Sequence, residues 1–266
     1  MRKLMLAVCL AVAGCGADVQ DTWDANQDAL QATRAGAAII DAAQFVGILP
    51  KYTCGEPERV EFADMVPELQ SRLGPCATLH AGASTDTSDI ETLAFAAPGC
   101  KVFGANWTGQ LQATVSGGND RNEVALDFTG MQINGAPVDA RIGRVSCGDL
   151  TTWNIDANTR VPANKLFAQL DLGYHGTVVD RPGIFIIGTD YLILDGTAHV
   201  VSGNRAFDVT FKQVWWEPGL SVPHRGELDF QTPEGHDVAV RFGDSDSEIQ
   251  VSVDNGRFAP VPVPGL

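Results

Sequence analysis

Long apolar runs are nearly missing from this 266-residue sequence. The longest is ten residues, Leu4 to Ala13, about half of what an α-helix needs to cross a bilayer. Positive charge is scarce. Lys and Arg number 18 against 33 Asp and Glu, giving a formal net charge of −15. A chain of that sign excludes electrostatic attachment to nucleic acid or to an anionic leaflet. Motifs are missing too. There is no HExxH, no GxSxG elbow, no Walker loop and no GxGxxG after a strand. No CxxC pair occurs, and the cysteine spacings are long, which argues against a zinc site.

What is present begins at the amino terminus. Arg2 and Lys3 precede the apolar run, and small residues close it. That is the layout of a secretory signal. The exit, Val12-Ala13-Gly14-Cys15, resembles the lipobox of bacterial lipoproteins. The resemblance implies cleavage after residue 14, a diacylglyceryl thioether on Cys15 and acylation of its new amine. Gly16 follows, where an aspartate would signal inner-membrane retention, so the resemblance points to the outer membrane. Two or more acyl chains give stable attachment, whereas one holds only marginally.

Four further cysteines remain beyond the leader: Cys54, Cys76, Cys100 and Cys147. An even number in an exported chain reads as two disulfides. Three pairings exist, of which Cys54–Cys76 and Cys100–Cys147 close the most local loops.

The pattern divides the chain into residues 1–14 as signal, 15–50 as anchor and helix, 51–92 as a disulfide-bearing helical and loop segment, and 93–266 as a β domain. Residues 21–46 read as a helix capped by Asp21 and stopped by Gly47 and Pro50. Its apolar stripe of Trp23, Leu30, Ala37 and Ile40 is interrupted by Asp41, so it is expected to pack loosely or to serve as a spacer. Glu58 to Leu73 has helical spacing broken by Pro67, and Ala81 to Asp89 reads as a surface loop.

From Leu93 the period becomes two. Leu111, Ala113 and Val115 alternate with polar residues, as do Val124, Leu126 and Phe128; Phe207, Val209 and Phe211; and Ile249, Val251 and Val253. Such alternation marks antiparallel strands with one wet face. Asn134-Gly135 and Asn255-Gly256 are tight-hairpin pairs. Stretches 108–128, 195–211 and 225–242 echo one another, each with a glycine near its start and a phenylalanine at its end. The expected fold is mainly β, with an N-terminal helix and an antiparallel sandwich or a curved half-barrel sheet built from hairpins. Gly183 to Gly188 is apolar without alternation and is a candidate contact for the helix. Val261-Pro262-Val263-Pro264 is expected to lie extended at an edge.

Chemistry-bearing residues are few. The five histidines form no close pair, and His199 reads as a solvated strand residue. Asp244, Asp246 and Glu248 are the one local acidic cluster, a set of oxygens for Ca²⁺ or else a solvated turn. Trp215-Trp216 ends a strand. Neighbouring strand residues face opposite ways, so one indole belongs in the core and the other outside. The outer ring either stacks on a sugar or partner or simply covers the end of the sheet. These features fit a membrane-anchored envelope lipoprotein with a binding or structural role and no cofactor, whose partner is an envelope protein, glycan or lipid. Two other functions are compatible: a carrier of an apolar ligand held in a half-barrel, and an envelope hydrolase.

Overall fold

The computed structural model describes residues 19–47, 67, 70–71, 73–84, 88–102, 105–118, 121–146, 151–181, 191–217, 220, 222–243, 245 and 247–263. The helix α1 (Val19–Ala43) runs into a 3-10 turn (Gln44–Gly47). Among the described residues thirteen strands follow. They are β1 (Ala77–Ser84), β2 (Ser88–Val102), β3 (Ala105–Gly118), β4 (Arg121–Ile133), β5 (Ala136–Ser146), β6 (Thr151–Val161) and β7 (Leu170–Arg181), then β8 (Tyr191–Ser202), β9 (Arg205–Trp216), β10 (Arg225–Gln231), β11 (Asp237–Arg241), β12 (Glu248–Val253) and β13 (Ala259–Pro262).

All thirteen belong to one sheet whose spatial order is the chain order, each strand antiparallel to the one before. Of the two architectures expected, the curved sheet is the one adopted. It does not close into a barrel. At one edge lies β13, pairing Val261 with Ile249 and Pro260 with Gln250, so the proline-rich tail is extended at an edge as expected. Prolines there cannot donate to a further ladder, which blunts the edge.

Curvature has a local cause, and it explains the echo. In each echoing stretch the early glycine, Gly109, Gly196 or Gly226, has positive φ and sits at a register shift. A Cβ at Gly226 would lie 2.4 Å from the Gln213 carbonyl oxygen, and one at Gly196 2.5 Å from that of His175. Only glycine permits both the backbone angle and the approach. Bulges of this kind bend a strand and add twist. The repeated glycine is therefore a repeated bend in the sheet.

Inside the curve lies α1. Ala25, Ala29, Ala32, Ala35, Ile39, Ala42 and Ala43 are buried and join one core with the inward residues of β3 to β12. Small side chains let the sheet approach α1 closely, and alanine keeps it helical. Phe45, just past the helix, packs on Trp107 and Phe128 with ring centroids 5.7 and 6.3 Å apart. The expectation of a loose helix or spacer is thus corrected. Burial extends well beyond one stripe and takes in Asp28, Gln31, Thr33 and Arg34, because a curved sheet surrounds a helix where a flat one touches a single side. Asp21 lies in the first turn rather than at the cap.

Two other expectations shift. Strands begin at Ala77 rather than Leu93, and much of the stretch expected as a loop is strand: Ala81 and Ser84 pair with Glu91 and Asp89 of β2, and Ser88 and Asp89 pair with Ser116 and Val115 of β3. At the β12–β13 turn the left-handed pair is Asp254-Asn255, with φ of 49° and 57°, one residue earlier than Asn255-Gly256. Asn134-Gly135 turns as expected, with φ of 52° and 78°. The proposed helix at 58–73 and the apolar run 183–188 lie largely or wholly outside the described residues.

Candidate functional site

In a meander, alternate turns share an end of the sheet. The β4–β5, β6–β7, β8–β9, β10–β11 and β12–β13 turns lie at one end, and the strand ends Arg181 and Tyr191, Trp216 and Arg225, and Arg241 and Glu248 at the other. The first end holds the polar side chains of α1 and is called the helix end. The second is the far end. Strands β8 and β9 have 12 residues each, so about 40 Å of extended chain separates the two.

Trp215 and Trp216 stand at the far end, and a bulge decides which one faces in. Phe207, Val209 and Phe211 point inward, all odd-numbered; beyond Lys212-Gln213 the inward residues are Val214 and Trp216, both even. Gln213 has φ of 47°, and the Asp195 carboxylate accepts its backbone N–H at 2.8 Å. This kink exchanges the two faces. Trp216 is buried, and its indole N–H donates to the Leu220 carbonyl at 2.6 Å. Trp215 is half-buried on the other side. Its ring lies 6.2 Å from Tyr191 with the Arg225 guanidinium 6.0 Å above it, and Tyr191 lies 6.1 Å from the His224 ring. His224 Nε2 is 3.0 Å from Glu217 Oε2. Two tilted rings, an imidazole, a carboxylate and a guanidinium thus gather at one place. Such a set stacks on a ring and forms hydrogen bonds around its edge. This is the candidate binding site.

At the helix end the ionic groups are already matched. Arg205 grips Asp28 through Nε and Nη2 at 2.7 and 2.6 Å, and Glu234 through Nη1 and Nη2 at 2.8 and 2.7 Å. The Asp28 side chain is 2% exposed. Arg205 holds the Glu234 carboxyl down to about 2. His236 bridges Asp254 (2.8 Å) and Asp21 (3.4 Å), and its carboxylate neighbours, Asp254 foremost, raise its pKa. Further along α1, Asp41 accepts a hydrogen bond from the Asn134 amide at 3.2 Å. Burial pushes the Asp41 carboxyl up to about 6. Asp21, Asp24 and Asp28 place like charges at helical spacing, a repeat that is unfavourable by itself and signals a facing cation.

The remaining sequence-derived residues are placed as follows. His199 is exposed on the convex face and pairs across strands with Asp208 at 2.7 Å; His175 contacts Asp156 in the same way. Glu248 opens β12 opposite Pro262, while Asp244 and Asp246 lie outside the described residues. Among the described residues, no three His, Cys, Asp or Glu are grouped to hold a metal ion. Cys76 is half-buried with a free thiol, and Cys100 pairs with Trp107 in the β2–β3 ladder. Cys15, Cys54 and Cys147 lie outside the described residues. No described helix is long and apolar enough to cross a membrane. Compared with known proteins, the chain matches no family model, no curated protein and no solved structure.

Proposed function

We propose that this chain is a lipid-anchored protein of the bacterial cell envelope, on the outer membrane, that works by binding and presents its far end to a glycan. The observation that carries the binding role is the Trp215–Tyr191–His224 cluster with Glu217 and Arg225 around it. Saccharide rings offer an apolar face for stacking and hydroxyls for a carboxylate, an imidazole and a guanidinium. The anchor is supported by the lipobox-like Val12-Ala13-Gly14-Cys15 and by the four residues from Cys15 to Val19, where α1 begins. Since α1 enters at the helix end, a lipid on Cys15 directs the far end away from the membrane.

Two measurements test this. Cys15→Ser moves the protein from the membrane to the soluble fraction; a variant that still resists washing from the membrane refutes the anchor. Envelope glycan fragments quench or shift the tryptophan emission of the wild type, and Trp215→Ala removes that response. An unchanged response in Trp215→Ala places the ligand elsewhere.

The carrier reading is weaker for a specific reason. The concave side is filled by α1, whose Gly36 leaves only 2.9 Å between an added Cβ and the Trp216 ring. An apolar ligand has to displace α1 to enter there. Lipid recovered in stoichiometric amount from the purified delipidated protein is the result that restores this reading.

A further inference from the structure

We propose that the helix end is a bilayer-contacting surface, with Trp23 and Leu166 seated in the interface of a zwitterionic membrane. The proposal rests on the lipid anchoring proposed above and adds which face of the protein meets the lipid.

The starting observation is where large apolar side chains are exposed. Among the described residues they are Val19 at 64%, Leu166 at 60% and Trp23 at 39%. Val19 and Trp23 lie in the first turns of α1, beside Asp21, Asp24 and Asp28, which meet His236 and Arg205 at the β8–β9 and β10–β11 turns. Leu166 lies in the β6–β7 loop, on the same end by the meander topology. All three therefore belong to the helix end. Singly exposed apolar residues are ordinary; their confinement to the end nearest the anchor is what calls for an occupant.

The exposure of Leu166 is built into its loop. The Asn164 carbonyl side-chain oxygen accepts the N–H groups of Leu166 and Phe167 at 2.8 and 2.9 Å, and the Asn164 N–H donates to the Phe167 carbonyl at 3.0 Å. Phe167 is buried with the Arg34 guanidinium 5.6 Å from its ring. Arg34 also donates to the Ala168 carbonyl at 2.7 Å and the Pro162 carbonyl at 2.5 Å. The loop is thus tied to itself at its tip and to α1 at both ends. That geometry sends Phe167 in and Lys165-Leu166 out.

Three arguments select lipid as the occupant. From Cys15 to Val19 is four residues, a reach of at most about 14 Å, so acyl chains on Cys15 hold the first turn of α1 at the membrane surface. Tryptophan prefers that interface, with an apolar body and a polar N–H. The acidic groups near it are occupied: Asp28 and Glu234 are hydrogen-bonded by Arg205, with Asp24 4.0 Å from the same guanidinium, and Asp21 and Asp254 flank His236. Carboxylates still outnumber cations there, which selects zwitterionic over anionic headgroups.

The test uses the full lipidated protein on phosphatidylcholine vesicles, with and without bromine on the acyl chains. Flotation reads the anchor, and tryptophan emission reads the contact. The expected result is flotation together with loss of emission on brominated vesicles, a loss that Trp23→Phe abolishes although four other tryptophans remain. Leu166→Asp floats equally and shows a smaller loss. Flotation with identical emission on both vesicle types overturns the contact and leaves the anchor standing. Failure to float overturns both. Concentration-dependent doubling of mass in detergent that Trp23→Phe or Leu166→Asp prevents assigns the surface to a second copy of the chain instead, and also overturns the proposal.

Discussion

Two arginines at opposite ends of the sheet show how differently those ends are organised. Arg205, 21% exposed, is enclosed by Asp28 and Glu234 and ties the β8–β9 turn to α1 and to the β10–β11 turn. Arg225 is exposed and leans over Trp215 at 6.0 Å. At the helix end, charge is consumed in holding a helix within the curve. At the far end, charge of the same kind borders an aromatic surface and stays reachable from solvent. A site for an outside molecule needs polar groups that are positioned yet not fully engaged, and of these two arginines Arg225 is the one in that state.

The comparison breaks hardest at Arg205. Arg205→Ala leaves Asp28 buried without its cation, which costs about 3–5 kcal/mol, measured by urea denaturation. A loss under about 1 kcal/mol means that the helix end is not locked by this residue. Gly36, in the second half of α1, comes second. Gly36→Val drives a side chain into Trp216 and Phe211, whose atoms lie 2.9 and 3.0 Å from an added Cβ, and overpacking of this kind costs about 1–3 kcal/mol.

Asp41 sharpens the comparison by its sign. Its folded pKa of about 6 lies above the ordinary 3.8. The folded state therefore holds its proton longer, and stability falls as pH rises from about 4 through 6. Asp41→Asn stabilises the protein above pH 6, by about 1–2 kcal/mol after allowance for its partial exposure, and has no effect near pH 4. Melting temperatures at the two pH values decide it. His236, raised by its carboxylate neighbours, acts in the same direction: its contribution is full below its unfolded pKa and is lost as pH rises through the folded one. The smallest stability effect belongs to the far end. Trp215→Ala costs about 1 kcal/mol while removing the glycan binding proposed above, and a collapse of the fold instead assigns this ring to structure.

The strands were legible because one wet face imposes alternation, and the hairpins because turns demand particular residues. The same logic failed where neighbours supplied the pairing. Ala81–Ser84 looks like a loop by composition, yet it forms strand because β2 runs beside it. Which tryptophan faces inward was also open. Two consecutive polar residues, Lys212 and Gln213, interrupt the alternation between Phe211 and Val214, and that break is the trace of the bulge. The matched ions at the helix end were hidden for another reason. Asp28 and Arg205 stand 177 positions apart, and no local pattern specifies so distant a partner.

That separation also bears on the order of events as the chain folds. Every strand pairs with its immediate predecessor, so the sheet grows by short loop closures, which are quick. The helix is made first and finishes last. It remains without its guanidinium until β9 exists, so the buried carboxylate of α1 waits for its cation while strands β1 to β8 are laid down.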